Sequence, residues 1–126
     1  MKNILTPVNR CLFTFFLFVS FLLLLPLSVQ AHPPGTVTLQ YDPDAKVLTV
    51  TITHSVADGT KHYIESVTIA RNGELVKTFE YKSQPDKKTF TYEYLIETQK
   101  GDELKVRAGC NYFGSKTNTL IVGESK

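Results

Sequence analysis

Cysteine is scarce in this 126-residue chain, tryptophan is absent, and methionine occurs once, at Met1. Of the two cysteines, Cys11 stands in an apolar leader, which leaves Cys110 alone and excludes an internal disulfide in the remainder. A small domain without disulfides must be stabilised by its packing. Charge of one sign is not in excess either. Two of the 14 basic residues, Lys2 and Arg10, belong to the leader, so the rest of the chain balances its 12 acidic residues. That balance favours neither nucleic acid nor an anionic membrane surface as a partner. No glycine-rich loop for phosphates occurs, and serine, histidine and acid residues form no motif for nucleophilic catalysis. Beyond the leader, no stretch carries the apolar stripe of a surface helix.

What the chain has in abundance at its start is apolar side chains. Lys2 and Arg10 give a basic beginning, residues 12–27 an apolar run, and Val29-Gln30-Ala31 the short residues that a signal peptidase reads. Residues 1–31 therefore read as a signal peptide and residues 32–126 as one exported domain, periplasmic or otherwise extracytoplasmic. Retained, the same run would be a membrane anchor. Pro26, which breaks a helix just ahead of the cleavage-like residues, argues for removal. Cleavage after Ala31 leaves His32 as the first residue. The remaining chain is long enough for one modest core and too short for a second domain.

Period-two alternation runs through nearly all of this remainder. It predicts strands over 36–41, 46–54, 62–71, 74–81, 89–96, 103–110 and 117–122. Between them lie Asp42-Pro43-Asp44, Asp58-Gly59, Asn72-Gly73, Gln84-Pro85-Asp86, Gly101-Asp102 and Gly114-Ser115. Asn72-Gly73 is the strongest turn signal, because a two-residue hairpin turn needs positive φ at both positions. About seven short strands at this spacing predict an all-β, immunoglobulin-like antiparallel β-sandwich. The Cys-Trp-Cys signature of true immunoglobulin domains is missing. The row Phe90, Tyr92, Tyr94 and Ile96 reads as packing on a sheet face.

Strand parity places two chemically distinctive residues. Leu48, Val50, Ile52 and His54 share one face of the second strand, and Leu104, Val106, Ala108 and Cys110 share one face of the sixth. His54 and Cys110 each end an inward-facing row, so parity predicts that they meet at one rim of the sandwich, where a metal would be half buried and still reachable. Taken alone, each histidine also fits a structural role, and Cys110 fits an ordinary buried thiol.

The local sequence adds a resemblance. His62-Tyr63-Ile64-Glu65 resembles the HYIE segment of the superoxide reductase family, the desulfoferrodoxin and neelaredoxin iron proteins. Cys110-Asn111-Tyr112-Phe113-Gly114 resembles that family's CNxHG segment, with Phe113 where a histidine stands. His32-Pro33-Pro34 resembles the first ligand segment, and His54 the second ligand, followed here by Ser55 rather than proline. The resemblance implies a β-sandwich that holds ferrous iron by imidazoles and one axial thiolate, with His32, His54, His62 and Cys110 as metal ligands. It also implies superoxide and an electron donor as partners. Neutral imidazoles suit Fe(II), and a thiolate raises electron density on it.

Two departures bear on activity. Phe113 has no lone pair to offer. The family's lysine ahead of the first histidine has no counterpart, and Lys61, beside His62, is the available substitute as a cation near the site. An amino-terminal His32 would add its own amine as a nitrogen ligand, an arrangement that suits copper, while the thiolate also suits iron or zinc. A blue-copper site fits less well, since no histidine follows Cys110 and no methionine lies near it. Three functions thus stand open: a superoxide reductase-like oxidoreductase, a copper carrier using the amino-terminal histidine, and a sandwich module that binds a protein partner without metal.

Overall fold

The computed structural model describes residue 15 and residues 32–124. The signal peptide expected over residues 1–31, with its cleavage point, lies outside the described residues apart from Phe15. Among the described residues no helix is long and apolar enough to cross a membrane.

Seven strands follow one another in the order β1 (Thr36–Asp42), β2 (Val47–Thr53), β3 (Ile64–Arg71), β4 (Glu74–Glu80), β5 (Thr89–Leu95), β6 (Glu103–Cys110) and β7 (Ser115–Ile121). They form two antiparallel sheets, β1-β2-β5 and β4-β3-β6-β7. The all-β sandwich read from the alternation is the fold of the chain. The boundaries differ from the alternation in instructive places. Lys46 has a φ of 56°, a left-handed conformation that cannot continue a strand, so β2 starts one residue later. His54 and His62 lie just beyond the strand ends, not inside β2 and β3.

The β3–β4 hairpin closes on Asn72 and Gly73, whose φ values of 52° and 82° are those the sequence signal requires. Asn72 also donates from Nδ2 to Asp102 (2.8 Å) and accepts from the Glu103 amide (2.9 Å), which fastens the turn to the start of β6. Replacing Gly73 by alanine puts a Cβ into the left-handed region and is expected to cost about 1 to 2 kcal/mol. A urea unfolding midpoint, compared with that of the native chain, measures it.

The core lies between the sheets. Leu48, Val50 and Ile52 of β2, Ile64, Val67 and Ile69 of β3, and Leu104, Val106 and Ala108 of β6 are completely buried. Each fully buried aliphatic side chain of valine size or larger contributes roughly 1.5 to 3 kcal/mol. Phe90, Tyr94 and Ile96 close the same core, so the aromatic row of β5 is packing. Tyr81 packs against it: the Tyr81 and Tyr94 hydroxyls lie 2.7 Å apart and the Tyr81 ring stacks on Tyr92 at 4.3 Å. Burial, reinforced by Tyr81, pushes the Tyr92 phenol up to about 12. The two sheets are pinned along one side where Asn118 Nδ2 donates to the Val37 carbonyl at 2.7 Å.

Both inward rows end at the same rim. The β2 row finishes at His54, which is 1% exposed, and the β6 row at Cys110, which is 6% exposed. The ladder carries His54 slightly beyond β2, its amide donating to the Lys88 carbonyl at 2.8 Å.

Candidate metal centre

Three side chains converge at this rim. His54, His62 and Cys110 each offer one ligand atom, and the three atoms lie within 4.8 Å of one another. His62 Nε2 is 3.0 Å from Cys110 Sγ, and the two imidazoles meet edge to face with centroids 4.7 Å apart. Parity anticipated the pairing of His54 with Cys110. His62 arrives from a different element, the segment leading into β3.

That segment is held by Asn111, the residue after Cys110. The Asn111 amide donates to the Tyr63 carbonyl at 3.0 Å. Its side chain accepts from the Tyr63 amide at 2.9 Å and donates to the Lys61 carbonyl at 2.9 Å. These bonds bracket His62. A bulge in the β3–β6 ladder, between Ile64 and Ser66, shifts the register next to it, and such bulges re-aim a neighbouring side chain. On the other side Asp58 anchors the loop: its carbonyl accepts from the His62 amide at 3.0 Å and its carboxylate from Thr60. The Thr60 hydroxyl and amide hold the Asp58 carboxyl below the usual range.

The site's electrostatics suit ligation. Burial pushes the His62 imidazole below its ordinary value, and the proximity of the His54 and His32 imidazoles acts the same way, which leaves its lone pair free for a cation. Cys110 Sγ accepts from the Tyr112 amide at 3.4 Å. The Tyr112 ring stacks on His62 at 4.8 Å and limits its rotation.

His54 carries the most informative geometry. Nδ1 lies 2.8 Å from Gln84 Oε1, while Nε2 is buried with no hydrogen-bond partner. Such an atom costs about 1 to 3 kcal/mol unless something occupies its lone pair. Among the described residues only Tyr92 Oη and Thr98 Oγ1 share this condition. A metal ion beside Cys110 and His62 would satisfy Nε2. Two imidazoles and a thiolate suit iron, copper or zinc, so the residues present fit such an ion.

The remaining candidates fall outside the converging group. His32 is exposed and contributes no atom to it, although its imidazole bears on His62. Its segment nevertheless runs alongside the cysteine loop: Gly114, at φ 86°, leaves the space into which Pro33 packs, and a Cβ there would meet Pro33 Cβ at 2.7 Å. Lys61 is exposed and lies 3.7 Å from Asp58. Phe113 is 71% exposed. Gln84 and Asn111 were missed as site residues. A glutamine in a turn carries no signal in a single sequence, whereas Asn111 was visible beside Cys110 without its role.

No family model matches the chain, and no curated protein does. Among solved structures it is similar to a superoxide reductase in the oxidized state, at 14% identity and a TM-score of 0.49, over 73% of this chain and 90% of that one. A hypothetical protein from Pyrococcus horikoshii OT3 is similar at 15% identity and a TM-score of 0.48, with the same coverage. A superoxide reductase from Nanoarchaeum equitans is similar at 14% identity and a TM-score of 0.41, over 71% of this chain and 92% of that one.

Proposed function

We propose that this chain is an exported metal-binding redox protein whose centre is formed by His54, His62 and Cys110, with iron as the metal. The observation that carries the reading is the buried, partnerless Nε2 of His54 beside a histidine and a thiol. The HYIE and CNxFG segments support iron, because they resemble those of superoxide reductases. Bound there, ferrous iron would supply one electron to a substrate such as superoxide and be restored by an electron donor.

The chain's own residues do the rest. Gln84 and Asn111 hold the two imidazole segments, the Tyr112 amide meets Cys110 Sγ, and burial keeps the His62 donor from competing protons. Lys61, exposed at the same loop, would attract an anion toward the rim. His32 joins the ligands only if its segment swings inward. With the leader cleaved, its amine and ring would give a nitrogen-rich site that suits copper.

Elemental analysis of protein recovered from its export compartment, followed by titration of the metal-free protein with Fe(II), Cu(I) and Zn(II), tests the reading. One bound ion per chain is expected, and absence of binding by all three would leave the metal-free binding module as the function. Phe113→His should slow Fe(II) loss to a chelator by roughly tenfold, the order of effect of a partner around a metal. Because Phe113 is exposed, the replacement disturbs little packing. An unchanged rate would argue against an inherited fourth-ligand position.

A further inference from the structure

Gln84 sits in the loop between β4 and β5, far in sequence from His54, and it is itself 7% exposed. Its amide makes three bonds: Nε2 to the His54 carbonyl at 3.0 Å, Nε2 to the Asp86 carbonyl at 2.7 Å, and Oε1 with His54 Nδ1 at 2.8 Å. Two of its three neighbours are carbonyl oxygens, which only accept. The NH2 end must therefore face them, since the opposite orientation would set oxygen against oxygen twice. Oε1 is thereby committed to His54, and an amide oxygen also only accepts. The hydrogen in that contact belongs to His54 Nδ1.

We propose that Gln84 is the positioning residue that fixes the tautomer of His54, and so determines that Nε2 is the nitrogen presented to the metal. The inference rests on the metal-binding reading for its consequence, but the tautomer itself belongs to the metal-free chain. Residues 59 and 84 are built to approach closely. Gly59 accepts the Gln84 amide on its carbonyl at 3.0 Å, and a Cβ on Gly59 would come within 3.1 Å of Gln84 Cγ. The loop that leads to His62 therefore also clamps the residue that orients His54. One glutamine couples the placement of both imidazoles, in the way that outer partners orient metal-binding histidines elsewhere.

The test begins with ring 15N chemical shifts of His54 in the metal-free native chain. A protonated Nδ1 and a bare Nε2 are expected, whereas a protonated Nε2 would overturn the proposal. In Gln84→Leu the acceptor is gone, and the expected result is loss of the Nδ1-H tautomer together with about 10- to 100-fold weaker Zn(II) binding. Gly59→Ala, which crowds Gln84 but leaves its chemistry, should shift the same 15N signals in the same direction more weakly. If Gln84→Leu does not fold, the native spectrum and Gly59→Ala still decide. An unchanged tautomer and unchanged affinity in a folded Gln84→Leu variant would overturn the proposal. Failure of the native chain to bind any metal, with the Nδ1-H tautomer present, would instead overturn only the metal reading and the consequence drawn from it.

Discussion

Cys110→Ser is expected to weaken metal binding by more than about 100-fold while leaving the domain folded. Outer partners of metal ligands are worth about 10- to 100-fold, and Cys110 would supply the one anionic donor, so its loss must exceed theirs. Serine is close in size and can still meet the Tyr112 amide and His62, the two closest hydrogen-bonding partners of Cys110 Sγ. Co(II) as a probe reads the outcome directly. The native chain should develop the ultraviolet charge-transfer band of a thiolate bound to cobalt, and the variant should lack it. Retention of native affinity in Cys110→Ser would remove the thiolate from the centre and with it the likeness to an iron-thiolate site.

Ile52→Ala should produce the largest loss of stability that also reaches the site. Ile52 is completely buried, faces Val37 and Phe90 across its two ladders, and precedes His54 on the same inward row. Removing such a side chain costs about 2 to 5 kcal/mol, partly transfer and partly the cavity left behind. Whole domains are stable by only about 5 to 15 kcal/mol, so this is a large share. At about 4 to 8 °C per kcal/mol, the melting temperature should fall by roughly 10 to 30 °C. Metal at about 100 times its dissociation constant should restore about 2.7 kcal/mol, because it binds the folded chain alone. Calorimetry with and without metal separates the two effects. A loss below about 1 kcal/mol would mean that the row beneath His54 is not a tightly packed support.

Much of this architecture was legible in the order of residues. Alternation of period two identified the inner strands because β2, β3 and β6 each bury one face, and burial of one face is written in every second residue; β4, exposed almost throughout, was marked by the Asn72-Gly73 turn before it. Parity also placed His54 and Cys110 at the ends of inward rows, where the structure has them. The strand ends were less legible. The pattern runs on through Lys46, His54 and His62, but the left-handed φ of Lys46 and the Asn111 bonds around His62 are not periodic properties.

Thus the sequence by itself determined the strands, their inward faces and the residue types able to hold a metal. Only the tertiary structure decided that His62 joins His54 and Cys110, that His32 stays outside them, and that Gln84 aims one nitrogen. The physical reason is range. Burial on a strand is a local alternation, whereas the site is made by hydrogen bonds between residues 30 to 50 positions apart, from His54 to Gln84, Lys61 to Asn111 and His62 to Cys110.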